Sequence, residues 1–128
     1  MSEREILFRG KIIELCKYQG QWLEGFFGSD NGKTFIAIQN ENGLNGYFCD
    51  SKTVGQYTGL KDKNGLTKIF EGDVIKRRGE NFIVYWDEEC AGFYPFYDQD
   101  NPIGYGVIGE ESEVIGNIHD NPELLKGE

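Results

Sequence analysis

The hydrophobic and polar positions of this chain repeat with a period close to two, in short runs broken by glycine. Residues 5–15, Glu-Ile-Leu-Phe-Arg-Gly-Lys-Ile-Ile-Glu-Leu, mix alternation with apolar pairs and predict a strand with a bulge or bend at Gly10. In residues 21–27, Trp22, Glu24 and Phe26 alternate against Leu23 and Phe27, and Tyr18-Gln19-Gly20-Gln21 supplies a turn that makes these two segments a hairpin. Residues 33–39 set Phe35 and Ala37 against Ile36 and Ile38, and residues 44–49 return with Tyr47 and Phe48. Four Asn-Gly pairs, at 31–32, 42–43, 45–46 and 64–65, are hairpin signals, because a type I′ turn needs positive φ at both central positions. The expectation for the first fifty residues is a meander of about four strands.

Residues 50–66 have little periodicity and much Gly, Lys, Asp and Asn, so they read as a connecting segment with local turns. Beyond them, residues 72–76 and 81–86 flank Arg77-Arg78-Gly79-Glu80 as a second hairpin, and residues 92–97 follow as a strand that Pro95 confines to an edge or a bulge. Glu113 to Ile118 is a last strand, and Asn121-Pro122-Glu123 has the cap, proline and acidic residue that start a short helix. The fold class is therefore all-β, with an N-terminal β-meander over 1–58, a C-terminal part over 59–128 and a short C-terminal helix. A strand entered through Glu71-Gly72-Asp73-Val74-Ile75, a short turn and then Phe82-Ile83-Val84-Tyr85-Trp86 is how many small SH3-like barrels begin, so a partly open SH3-like barrel is expected there.

Five stretches, in order along the chain, resemble the YopX family of small phage and prophage proteins. They are Arg4-Glu5-Ile6 with Phe8-Arg9-Gly10-Lys11; Gly20-Gln21-Trp22-Leu23-Glu24-Gly25; the block Thr53-Val54-Gly55-Gln56-Tyr57-Thr58-Gly59-Leu60-Lys61-Asp62-Lys63-Asn64-Gly65; Ile69-Phe70-Glu71-Gly72-Asp73-Val74-Ile75; and residues 113–125, Glu-Val-Ile-Gly-Asn-Ile-His-Asp-Asn-Pro-Glu-Leu-Leu. The resemblance implies a phage-encoded, β-rich protein acting in the host cytoplasm, and it carries over no catalytic residue.

Composition and charge narrow the function. With 38% hydrophobic and 14% aromatic residues in 128, the chain can bury a core of its own. Its net charge of -9 is uneven: residues 1–60 contribute -1, residues 61–80 contribute +2 and residues 81–128 contribute -10. An acidic face repels phosphate, which disfavours nucleic acid unless Lys61 to Arg78 binds it alone. Cys16, Cys49 and Cys90 form no Cys-x-x-Cys or Cys/His pattern, so a reducing compartment is expected and neither a zinc site nor a disulfide framework is indicated. The first residues form no secretory signal and no apolar run is long enough to span a bilayer, so the expectation is a soluble protein without a membrane partner.

No catalytic set emerges. His119 is the single histidine and has no nucleophile assigned to it by spacing. Asp87-Glu88-Glu89 and Glu110-Glu111-Ser112-Glu113 read as solvated turns, and Asp98-Gln99-Asp100 opens like a calcium loop but has Pro102 and Ile103 where a ligand and the turn glycine belong. The glycines around Tyr57-Thr58-Gly59 make no phosphate-binding loop. Trp86, Phe93, Tyr94, Phe96, Tyr97 and Tyr105 form an aromatic cluster with acidic neighbours, which suits core packing with a protein-binding remainder. The candidate binding surface is Lys76, Arg77, Arg78, Trp86, Tyr94 and Tyr97. The expected function is non-catalytic, without a cofactor: an accessory or regulatory module that binds a host or phage protein. The alternatives are a nucleic-acid-associated module using Lys61 to Arg78 and a small metal-dependent hydrolase built on the acidic loops. A small symmetric homo-oligomer through edge strands is compatible with the pattern.

Overall fold

Two Asn-Gly or Arg-Gly dipeptides in the left-handed region set the frame. Asn31 and Gly32 have φ of 51° and 80°, and Arg78 and Gly79 have 53° and 83°, so both pairs close tight hairpins. In this computed structural model, which describes residues 5–96 and 111–125, the strands so joined are antiparallel. Contacts divide the chain into two units, Met1–Tyr57 and Thr58–Glu128.

The first unit holds β1 (Phe8–Lys11), β2 (Trp22–Asp30), β3 (Lys33–Asn40), β4 (Gly43–Phe48), a 3-10 turn at Ser51–Thr53 and the start of β5 (Gly55–Lys61). Its strands lie in the order β4-β3-β2-β1-β5. Parity explains the core. Ile36 and Ile38 of β3 face inward with Leu23, Phe8 and Tyr47, and they pack with Ile12 and Cys49, while Phe35 and Ala37 face the other side. Ile12 and Ile36 are 1% and 0% exposed, and burying each such side chain is worth about 1.5–3 kcal/mol.

The second unit contains β6 (Lys68–Phe70), β7 (Asp73–Arg77), β8 (Glu80–Ile83), β9 (Tyr85–Asp87), β10 (Gly92–Tyr94), β11 (Glu113–Asn117) and a 3-10 turn at Pro122–Leu125. β11, β7 and β8 form one sheet in the order β11-β7-β8, β9 and β10 form a ribbon, and β6 lies beside β5. Ile69 of β6, Ile75 of β7 and Phe93 of β10 share one core with Val84 and Phe96. β7 lies between two partners, and its Asp73, Val74 and Ile75 are all buried.

Several expectations are corrected. Gly10 carries no bulge: a Cβ there would stand 3.0 Å from Cys49 Sγ and 3.1 Å from Ile36 Cγ1, so the glycine lets core side chains approach the backbone. The register shift falls instead between Val114 and Gly116 of β11. Residues 50–66 are more than a connection, since β5 runs through them, with Gly55 and Gln56 paired to β1 and Thr58 Oγ1 donating to Ile69 O at 2.9 Å. Asn45-Gly46 is no turn; both residues lie within β4, where a Cβ on Gly46 would come 3.0 Å from the Phe35 ring. At Asn42-Gly43 the glycine has φ of 102° and Asn40 pairs with Gly43, as in a type I turn closed by a bulge. The strand expected over 92–97 ends at Tyr94, before Pro95. The short C-terminal helix starts at Pro122 as expected and is a 3-10 turn over Pro122–Leu125.

Candidate functional site

The polar side chains of the family-like stretches are tied into turns. Asp62, 4% exposed, accepts from Asn64 N at 3.1 Å through Oδ1 and from Val114 N at 3.4 Å through Oδ2. Asn64 Oδ1 accepts from Leu66 N and Thr67 N, and Gly65 completes the turn with φ of 73°. Asp73 Oδ2 accepts from Phe70 N at 2.7 Å in a fully buried bond. At the far end, Asn117 Oδ1 accepts from His119 N and Asp120 N, and Asn121 Oδ1 accepts from Asn117 N. Asn81 Nδ2 donates to Leu124 O at 2.9 Å and clasps the final turn to β8. His119 is exposed within this clasp.

The candidate surface occupies the β7–β8 hairpin and the β9–β10 ribbon. Lys76 and Arg78 are exposed, Arg77 is half-buried, and the basic tip meets acidic residues of its own chain. Arg78 Nη2 lies 3.4 Å from Glu111 Oε2, Lys63 Nζ lies 3.6 Å from Glu113 Oε1, Lys76 pairs in register with Glu113, and Arg77 with Glu80. Exposed pairs of this kind contribute about 0–1 kcal/mol each, yet they lower the positive potential of Lys61 to Arg78.

The ribbon separates the aromatic candidates. Trp86 opposes Phe93 with ring centroids 5.1 Å apart, whereas Tyr94 opposes Tyr85 with rings stacked at 4.9 Å. Opposed residues share a face and successive residues alternate, so Trp86 and Tyr94 point to opposite sides. Phe93 is buried in the core beneath Trp86, while Phe82 reaches Tyr94 at 6.3 Å on the other side. Tyr85 and Trp86 remain 42% and 45% exposed. Sequence reasoning missed Tyr85, because the strand was read as continuous through Val84; Val84 is buried and bonds back to Asp73 O and Gly72 N, and this resets the pairing. Tyr97, like Asp98 to Asp100 and Tyr105, lies outside the described residues.

Asp87 Oδ1 accepts from Glu89 N and Cys90 N, so the first acidic group is a capped turn. Among the described residues no three His, Cys, Asp or Glu side chains gather in a group able to hold a metal ion. None of the described helices is long and apolar enough to cross a membrane.

The first unit adds two features that the sequence did not suggest. A cleft of about 420 Å³ is bordered by Ile13, Glu14, Lys33, Phe48, Cys49 and Asp50. Glu14 Oε1 accepts from Phe48 N at 3.0 Å, and Lys33 Nζ stands 5.4 Å from the Phe48 ring centroid. Burial, and then the Asp50 charge, push the Cys49 thiol above its ordinary range, so it stays protonated near neutral pH and is no nucleophile there. On the face opposite the core, Asp30, Phe35, Ala37, Leu44, Gly46 and Phe48 line a second hollow of about 320 Å³.

Such an arrangement defines an all-β protein of two antiparallel units, with its motif residues engaged in turn hydrogen bonds and aromatic side chains left on a ribbon. The chain belongs to the YopX protein family, whose model matches residues 8–126, and that membership implies a phage context. No curated protein matches the chain.

Proposed function

We propose that the protein is a non-catalytic binding or regulatory module that acts on a host or phage protein in the host cytoplasm. The observation that carries this reading is a division of labour among side chains. Thr58, Asp62, Asn64, Asp73, Asn117 and Asn121 are held by backbone groups, while Tyr85 and Trp86 stay exposed on adjacent positions of β9. Aromatic side chains of this kind are enriched where proteins meet, because they supply contact area at low entropic cost. Pairing of Arg78 with Glu111 and of Lys63 with Glu113 counts against the nucleic-acid reading, since counterion release requires cations free to meet phosphate.

The test is affinity capture from the bacterial host with the tagged full chain, with and without nuclease. A specific protein retained after nuclease and lost with Trp86→Ala or Tyr85→Ala supports the reading. Retention of nucleic acid alone, lost with Arg77→Ala, or turnover by the purified protein, refutes it.

A further inference from the structure

Among the described residues, no strand pairs with the outer edge of β4 at Leu44 and Gly46. Cys49 N donates to Thr34 O at 3.0 Å, so at that end of the strand the backbone of odd-numbered residues points to β3. Phe48 points the other way: its O accepts from Ile13 N at 3.0 Å and Glu14 N at 3.2 Å, and its N donates to Glu14 Oε1. By the alternation of an antiparallel ladder, the N–H and C=O groups of Leu44 and Gly46 also point outward. Leu44 is 59% exposed and Gly46 is exposed as well.

Natural edge strands are usually guarded by a lysine, an inward charge or a proline. The sequence of β4, Gly-Leu-Asn-Gly-Tyr-Phe, has none of these. Its side chains facing away from the core alternate Leu44, Gly46, Phe48, so a projecting leucine sits next to a residue without a side chain. The Phe35 ring of the same chain lies against Gly46, 3.0 Å from where a Cβ would stand, and the hollow lined by Phe35, Ala37 and Phe48 opens beside it.

We propose that a second copy of the chain docks here, β4 against β4, antiparallel about a two-fold axis at Asn45. In this register Leu44 of each copy opposes Gly46 of the other, and the two residues with outward backbone groups exchange hydrogen bonds on both sides of the axis. No other symmetric register uses both, since an axis at Gly46 would need Phe48, already engaged with Ile13 and Glu14. The same register lays each Leu44 over the other copy's Gly46, at the mouth of its hollow. Gly46 has no side chain to block that approach, and the hollow beside the Phe35 ring gives the leucine room, so the surface complements itself. Charge permits the approach, because the chain's excess of -10 lies in residues 81–128 while residues 1–60 carry -1. The contact is small and belongs with weak, concentration-dependent dimers.

Sedimentation velocity over a concentration series tests this together with engineered cross-linking. The wild-type weight-average mass should climb from 14.6 kDa toward twice that value. Leu44→Lys puts a charge opposite Gly46 of the other copy and should raise the dimer dissociation constant by about tenfold or more, with an unchanged melting temperature because the site is exposed. Asn45→Cys places a thiol on the axis, at a non-hydrogen-bonded pair whose Cα spacing of about 4.5 Å suits a disulfide, and should give a covalent dimer on mild oxidation. Glu41→Cys, exposed but off the axis, should not. A wild-type chain that stays at 14.6 kDa at its highest soluble concentration, with no link at Asn45→Cys, overturns the proposal. So does a dimer that is insensitive to Leu44→Lys and fails to link through Asn45→Cys, which would place the association elsewhere.

Discussion

Removing the Asp73 carboxylate tests whether the Glu-Gly-Asp stretch is structural. Asp73 is 1% exposed, and its Oδ2 lies 2.7 Å from the N of Phe70, itself 2% exposed, so no solvent replaces the acceptor in Asp73→Ala. A buried donor left unsatisfied costs about 1–3 kcal/mol, and bonds to a charged acceptor lie at the upper end, so Asp73→Ala should lose about 3 kcal/mol. Asp73→Asn keeps a carbonyl oxygen within reach and should lose about 1 kcal/mol. With an urea dependence of about 2 kcal/mol per molar, these become midpoint shifts of about 1.5 M and 0.5 M. Each unit contains one tryptophan, so in a Trp22→Phe background the fluorescence of Trp86 follows the second unit alone. A midpoint for Asp73→Ala within about 0.3 M of its parent refutes the reasoning. Equal losses for the alanine and asparagine variants would refute it too, because geometry would then not be what the carboxylate supplies.

Three further outcomes follow from packing and burial. Gly116→Ala drives a Cβ to 2.6 Å from Asn121 Oδ1 and 2.7 Å from Leu124 Cδ1, and should cost about 1–3 kcal/mol by opening the C-terminal clasp, read as faster amide exchange at Asn117 and Leu124. Gly25→Ala meets the carbonyl oxygen of Ala37 and should lower the Trp22-reported melting temperature more than Gly20→Ala, whose added methyl has open space around it. Cys49, 3% exposed, should resist thiol reagents that label Cys16 and Cys90 in the native protein. Both the Cys49 thiol and the Tyr57 phenol are raised, first by burial and then by the nearby charges of Asp50 and Glu5. Their protonated forms therefore favour the folded state, and that contribution is complete below the unfolded values and is lost as pH climbs past 9.0 for Cys49 and past 10.0 for Tyr57 toward their raised folded values, so urea midpoints should fall in alkaline buffer, less steeply for Cys49→Ala.

What the sequence disclosed was local. Asn31-Gly32 announces its turn because both residue types adopt positive φ readily, and at Arg78-Gly79 the glycine carries the signal while Arg78 takes φ of 53° at a cost. Asn45-Gly46 carries the same signal with another cause: the glycine clears room for the Phe35 ring across the strand, which no local pattern records. The strand β5 escaped notice because its apolar residues are sparse, with Tyr57 and Leu60 alone among Gly, Gln, Thr and Lys; long-range pairing to Phe8 and Arg9 makes it a strand. Among the candidate site residues, the exposure of Lys76 and Arg78 was legible from a hairpin tip. That Trp86 and Tyr94 face opposite ways was not, since it depends on the register Trp86 to Phe93 and on the interruption at Val84.

The engagement of Asp62, Asn64, Asp73, Asn117 and Asn121 with backbone groups has an evolutionary consequence. Selection for a foldable chain preserves these positions whatever the molecule recognises. The exposed positions on β4 and β9 carry no such obligation to the fold and can change without unmaking a turn.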